Sequence, residues 1–354
     1  MPSPNSHHAV KLLQELIACP SVSRDEGGTA DILQRALQER GVAGVGRLHN
    51  NIYARAAAWD DTKPVLLLCS HHDTVRPAAG YTRPPFTPTV EDGRLYGLGA
   101  NDAGASLVGL FEAFCALQSE PLDVNLVLAL VGEEEVSGAH GVSALLPHLG
   151  RVDMALVGEP TGMQAAVGER GLVVLDGTVR GRSGHAARNE GINALYLALD
   201  DINALRRYRF PATSPTLGPI GVAVTGIQAG TQHNVVPDEC CYFVDVRTTD
   251  AFTNEETVRL LQEAAPHSTL TPRSTRLRAS AIADGHPLVR AARAVGAATF
   301  VSPTMSDMAL IPCPSLKLGP GLSQRSHTAD EYVLLDEIRQ GVEGYIALLR
   351  AMAI

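Results

Sequence analysis

The sequence predicts an α/β protein: a mostly parallel sheet with helices on both faces, interrupted by a smaller α+β insert. Three observations carry that prediction. The apolar runs at residues 64–69 (PVLLLC) and 124–131 are continuous rather than alternating, as in strands buried on both faces. Helical patterns alternate with these runs, the order expected of parallel strands joined by crossovers. Near Gly171 the style changes to strands that alternate apolar and polar residues, and it changes back at Pro287.

Taken in order, residues 9–19 carry apolar side chains at helical spacing and stop before Pro20; residues 29–39 form a second helix, ended by Gly41. Residues 64–69 make the first buried strand. After a Pro- and Gly-rich loop, Asp102 precedes a long helical pattern, and residues 124–131 and 154–157 supply two further buried strands. The insert opens with a half-exposed strand at 172–180 and a helix at 193–208. Strands at 221–227 and 240–247, a helix at 254–264 and an extended stretch near 274–281 complete it. That order, β-α-β-β-α-β, is the split ferredoxin-like pattern. A helix from Pro287, a strand at 315–318, the loop GPGLSQRSHTADEY and a closing helix at 336–352 resume the first style. The expected organisation is one discontinuous domain, residues 1–169 and 283–354, with an insert at 170–282.

Composition narrows the function classes. A chain of 354 residues is long for one core and comfortable for two. With 45% hydrophobic and 19% charged residues it reads as globular, and a net charge of −9 offers no electrostatic footprint for nucleic acid. No apolar run approaches the length that spans a bilayer, and residues 1–10 lack the basic start and apolar core of a signal peptide. Cys19, Cys69, Cys115, Cys240, Cys241 and Cys313 form neither a CxxC pair nor a disulfide framework. They read as small buried hydrophobes in a reducing compartment, and the cytoplasm is the expected location.

The residues able to do chemistry fall just past strand ends. His71 and Asp73 follow the 64–69 run, Glu133, Glu134 and Glu135 follow 124–131, Glu159 follows 154–157, and His327 follows 315–318. In an open α/β sheet, side chains beyond the carboxyl ends of the strands converge on one crevice. Imidazole and carboxylate without thiolate suit zinc or a similar divalent ion. Three consecutive glutamates repel one another, and a cation is the natural compensation. A solvated acidic turn would explain the glutamate run, but not why the other elements also sit at strand ends. His72 points to the opposite side of an extended strand from His71. His7, His8, His49, His140, His148, His267 and His286 read as solvated or capping residues. There is no GxSxG elbow, no cysteine with an evident His partner, and GLGAND lacks the full GxGxxG spacing.

The series SHHDTV (70–75), GLGANDAGAS (97–106), EEEVSG (133–138), GEPT (158–161), SGHAAR (183–188), HNVVPD (233–238) and SHTADEY (326–332) resembles, in order and over nearly the whole chain, the acetylornithine deacetylase branch of the zinc aminoacylase and carboxypeptidase-like deacylases. The resemblance implies two divalent ions, zinc foremost, with cobalt or manganese as alternatives. It assigns His71 and Glu159 to one ion, Glu135 and His327 to the other, and Asp102 to both. Asp73 would accept a hydrogen bond from His71 and fix its tautomer, and Glu134 would be the general base. His185 would steady the oxyanion from the other subunit of a homodimer, which makes the insert a dimerisation or lid domain. Asn234 and Arg247 resemble the pair that holds the substrate's α-carboxylate, with His233 nearby. Gly319 and Gly321 would let backbone approach the ligand, and Lys317 and Arg325 would contact the acyl or side-chain group. The peptide after Asp102 is often cis in such proteins.

The activity implied is removal of an N-acetyl or N-succinyl group from ornithine or a close relative, in arginine biosynthesis. The rivals within the same family are a dipeptidase, a succinyl-diaminopimelate desuccinylase, and a hydrolase releasing lysine or ornithine from a carrier protein. A catalytically silent scaffold would lack Glu134, His185 or one of the five ligands, and all are present.

Overall fold

The computed structural model describes residues 4–188 and 190–353. The chain divides into two compact units: Met1–Gly168 with Ile282–Ser302 and Ser306–Ile354, and Glu169–Ala281 with Pro303–Met305.

The first unit is built on a mixed sheet. Its neighbours run Gly46–Leu48, Asn51–Arg55, Asn125–Val131, Val65–His71, Met154–Val157, Ser315–Lys317 and Ala165–Glu169. The four central strands are parallel, and antiparallel pairs flank them on both sides. Every residue of Val65–His71 and Asn125–Val131 is buried, which explains the unbroken apolar runs. Side chains of these strands alternate between two cores. Leu66, Leu68, Leu126 and Leu128 join the helices Pro4–Ile17, Gly27–Glu39, Ala105–Leu117 and Leu335–Arg350; Leu67, Cys69, Val127 and Ala129 pack with the helix Val142–Leu149 on the other face.

The helix Ala105–Leu117 is buried along most of its length and includes a fully buried carboxylate, Glu112. Its oxygens accept two bonds from Arg40 Nη1, at 2.8 and 2.6 Å, and a contact from His8, as a buried charge requires. Gly109 lets this helix approach the closing helix: a Cβ there would stand 2.9 Å from the Tyr345 ring.

In the second unit the strands lie in the order Gly221–Ala229, Glu239–Thr248, Gly171–Arg180 and Ser268–Pro272, with every neighbour antiparallel. The helices Ala194–Arg207 and Asn254–Ala264 pack on this sheet. Alternation is clean: Cys240, Tyr242, Val244 and Val246 are in the core while Phe243 is exposed. Asn193 caps the first helix by accepting from Leu195 N–H at 3.0 Å, and Thr253 and Glu256 form a capping box on the second.

Two expectations need correction. The extended stretch placed near 274–281 is Ser268–Pro272, with only Ser280–Ala281 of that range extended. This edge strand buries only Ser268 and Leu270, so its apolar signal is faint, and Pro272 is tolerated because an edge strand leaves some N–H groups unused. The first helix starts at Pro4 rather than residue 9, because its polar opening turn shows no apolar periodicity. Among the described residues, no helix is long and apolar enough to cross a membrane.

Candidate metal centre

Parallel strands bring their carboxyl ends to one edge of the first unit's sheet, and the acidic and imidazole side chains gather there. His71 closes its strand, Glu133, Glu134 and Glu135 follow Val131 after a single glycine, and Glu159 lies two residues past Val157. Asp102 comes from a wide turn, residues 100–104, that leads into the buried helix; its peptide bond to Ala103 is cis. His327 comes from the loop after Ser315–Lys317.

The distances define two overlapping groups. His71 Nε2 lies 3.3 Å from Asp102 Oδ1, 3.7 Å from Glu159 Oε1 and 3.9 Å from Glu134 Oε2. His327 Nε2 lies 3.0 Å from Glu135 Oε2 and 3.6 Å from the other oxygen of Asp102. Two sets, His71 with Glu134 and Glu159, and His71 with Asp102 and Glu135, have ligand atoms all within 4.8 Å of one another. Asp102 thus faces both imidazoles, one with each oxygen.

Backbone amides, not cations, hold the loops that carry these side chains. Asp73 accepts from Glu134 N–H at 3.0 Å, Glu135 N–H at 3.2 Å and the Ser23 hydroxyl at 2.7 Å, and lies 3.5 Å from His71 Nδ1. Glu26, fully buried, accepts from Glu133 N–H at 3.2 Å and from Asn50 Nδ2 at 3.0 Å. Glu331 accepts from Gly99, Asn101 and Asp102 N–H. Glu133 has a left-handed backbone, φ +58°, a conformation costing about 1 kcal/mol that persists where neighbours over-determine it. His72 points away from this cluster, to Thr29 Oγ1 at 2.8 Å and Asn50 O at 2.9 Å.

The electrostatics call for positive charge. Burial pushes Glu159 up to about 8 and Glu331 up to about 7. Burial, reinforced by the charges of Glu159, Asp307 and Glu135 and opposed by His71, also raises Glu134 well above the usual carboxylate range. The hydrogen bond to Glu135 lifts His327 to about 9. Burial alone would lower His71, but the Asp102 and Asp73 carboxylates override it and hold that imidazole above its ordinary range. Protons are drawn in to offset crowded carboxylates. Among the described residues, the buried His71 Nε2 makes no hydrogen bond of acceptable geometry. An orphaned imidazole nitrogen among carboxylate oxygens fits a divalent cation in both donor type and charge.

The remaining sequence-derived residues divide between the units. In the second, His185 and Asn234 are exposed neighbours: His185 pairs with Val235, and Asn234 O accepts from Ala186 N–H at 3.1 Å. His185 Nδ1 accepts from Ala187 N–H at 3.2 Å, which leaves the proton of the neutral ring on Nε2. His233 is exposed beside Asn234. Arg247 is exposed and forks onto Asp245 at 2.8 and 3.2 Å.

In the first unit, both terminal nitrogens of Arg325 go to Glu337, at 2.6 and 3.1 Å, and its guanidinium stacks on Tyr332. At Gly321, φ +85°, a Cβ would stand 2.4 Å from Asn101 Oδ1, so the close approach it permits is to Asn101. At Gly319 a Cβ would meet Ser106 Oγ at 2.2 Å. Lys317 is buried within its strand. Two residues that sequence reasoning passed over, Glu26 and Glu331, grip the backbone beside the cluster. Glu331 sat in a quoted motif; Glu26 gave no signal.

Imidazole and carboxylate donors grouped around a shared aspartate, with a further half-buried glutamate beside them, define a metal-dependent hydrolase of amide bonds. The chain belongs to peptidase family M20/M25/M40, whose sequence model matches residues 67–351. It is 28% identical to the succinyl-diaminopimelate desuccinylase of Paracoccus denitrificans, covering 96% of this chain and 97% of that one. It is 31% identical to the Delftia acidovorans enzyme of the same name, over 72% of this chain and 70% of the other. Among solved structures, aminopeptidase PepT of Bacillus cereus superposes with a TM-score of 0.78 at 21% identity, covering 99% of both chains. The Bacillus subtilis YxeP protein, described as a dinuclear metal-binding peptidase of the M20 family, superposes at 0.73 with 19% identity and 98% coverage of both.

Proposed function

We propose that this chain is a two-ion amidohydrolase that removes an N-succinyl group from a diamino acid of the diaminopimelate type. The observation that carries the chemistry is the pair of groups that share Asp102, one with His71 and Glu159 and one with His327 and Glu135, beside an orphaned, buried His71 Nε2. The choice of substrate is supported by the succinyl-diaminopimelate desuccinylases that align along nearly the whole chain. The metal motifs are common to acyl-ornithine deacylases and desuccinylases, and the aligned desuccinylases favour the succinyl-diaminopimelate substrate over acyl-ornithine.

In this reading His71, Asp102 and Glu159 hold one ion, and Asp102, Glu135 and His327 the other. When bound, the two ions supply Lewis acidity and lower the pKa of water toward neutrality. Zinc is the first candidate, with cobalt or manganese compatible with the same donors. Asp73 orients His71 through its Nδ1 side. Glu134, half-buried and not needed as a ligand, accepts the proton of the attacking water and delivers it to the departing amine; its raised affinity for a proton suits that shuttle. We assign His185, with its Nε2–H, the role of donor to the developing oxyanion, and Asn234 and Arg247 that of holding the substrate's α-carboxylate. The chain is taken to work as a homodimer.

The test is hydrolysis of N-succinyl-diaminopimelate, N-acetyl-ornithine, N-succinyl-ornithine and a dipeptide by ion-replete protein. Preference for the first by tenfold or more in kcat/KM supports the reading. Preference for either ornithine derivative restores the displaced one, and dipeptide preference removes both. Light scattering in solution tests the dimer.

A further inference from the structure

We propose that Glu331 is a positioning residue: by gripping the backbone of Asp102 it sets the spacing between Asp102 and His327, and thereby the strength with which the second ion is held. The inference rests on the two-ion reading above.

Glu331 lies four residues past His327 and is 2% exposed. One carboxylate oxygen accepts from Asn101 N–H at 2.8 Å and from Asp102 N–H at 2.9 Å; the other accepts from Gly99 N–H at 3.1 Å. Its own carbonyl accepts from Gly97 N–H at 3.0 Å. The side chain that ends the His327 loop is thus bound to the turn that presents Asp102. The preceding residue anchors the loop elsewhere, since Asp330 accepts from Thr82 N–H at 2.9 Å and Arg83 N–H at 3.1 Å. His327 and Asp330 both have left-handed backbones, φ +60° and +55°, a shape that needs such anchors.

Chemistry fixes the residue type. Three N–H donors converge on two oxygens, and an ionised carboxylate is acceptor-only. A glutamine of the same size turns an NH2 toward donors and leaves at least one amide without a partner. Asp102 Oδ2 and His327 Nε2 stand 3.6 Å apart with no hydrogen bond between them, so their spacing is left to the backbone that Glu331 fixes. Groups that orient metal ligands typically change affinity by about 10–100-fold when removed.

The experiment is zinc binding to metal-free protein by chelator competition, with cobalt absorption reporting each site's geometry. It compares wild type, Glu331→Gln and Glu256→Gln; Glu256 grips the backbone of Thr253 in the second unit in the same manner. The expected result is that Glu331→Gln weakens the ion shared with His327 10- to 100-fold and the other, which also uses Asp102, by clearly less, while Glu256→Gln keeps both. Wild-type binding of both ions by Glu331→Gln overturns the proposal, and so does equal weakening of both, which is what a role in folding alone would give. Fewer than two ions on the wild type would remove the two-ion reading itself. Should Glu331→Gln fail to fold, amide exchange in metal-free wild type decides: protected Asn101 and Asp102 amides support the grip, and freely exchanging ones overturn it.

Discussion

In the second unit a buried phenol, hydroxyl and carboxylate satisfy one another: Tyr242 donates to Ser268 Oγ at 2.6 Å, and Ser268 donates to Asp201 Oδ2 at 2.5 Å. In the first unit His71 is as deeply buried, yet among the described residues its Nε2 has no good hydrogen bond, and it faces Asp102, Glu134 and Glu159. The first cluster has a donor for each link of its chain. The second has acceptors in excess, and its groups raise their proton affinity to compensate. Matched donors and acceptors mark a cluster that serves the fold, and a surplus of one kind marks a cluster that serves a ligand.

That contrast can be tested most sharply at Glu134. Glu134→Ala should lower kcat for amide hydrolysis by about 10²–10⁴-fold while bound ion, read by elemental analysis, stays at the wild-type level. Loss of ion together with activity would make Glu134 a ligand, as its place in one of the geometric groups allows. Next in size is removal of the ions. At a free ion concentration near 1,000 times Kd, binding contributes about 4 kcal/mol, so a chelator should lower Tm measurably. An unchanged Tm would show that no ion is held.

A third effect is protonic. In the metal-free protein burial puts Glu159 near 8 and the bond to Glu135 puts His327 near 9, so both carry protons at pH 7. Ion binding must expel those protons, and affinity should therefore rise with pH between 7 and 9. Calorimetry in two buffers of different ionisation enthalpy reads the release directly; identical heats would contradict it. The Tyr242 phenol, raised to about 12 by burial, stays neutral throughout that range. The smallest effect is expected at Tyr242→Phe, which should cost about 1 kcal/mol in urea unfolding and leave ion affinity unchanged. A shift in ion affinity would break the distinction between the two clusters.

The strands and their ends were readable because burial on both faces writes a continuous apolar run, and His71, Glu134, Glu135 and Glu159 stand at or within a few residues of the ends of such runs. The order of strands and helices in the insert was readable from the change to alternation. Less was visible where tertiary contact sets the role. The grip of Glu26 on Glu133 N–H joins residues far apart in sequence, and nothing local to Glu26 announces it. Nothing local to Arg325 announces its pairing with Glu337. Gly321 reads as an opening for a ligand, whereas the atom that excludes a side chain there belongs to Asn101.

The dispersal of the donors along the chain has a consequence for biogenesis. His71, Asp102, Glu135 and Glu159 are synthesised early, but His327 and the closing helix Leu335–Arg350 come only after the whole second unit has been made. A nascent chain halted in the insert owns most of the carboxylates and only one of the two imidazoles. Domains fold as units during synthesis, yet this centre cannot be finished until His327 and the helix Leu335–Arg350 have been made. In the two-ion reading proposed above, full ion occupancy would be a chemical mark that these residues have been made and have docked.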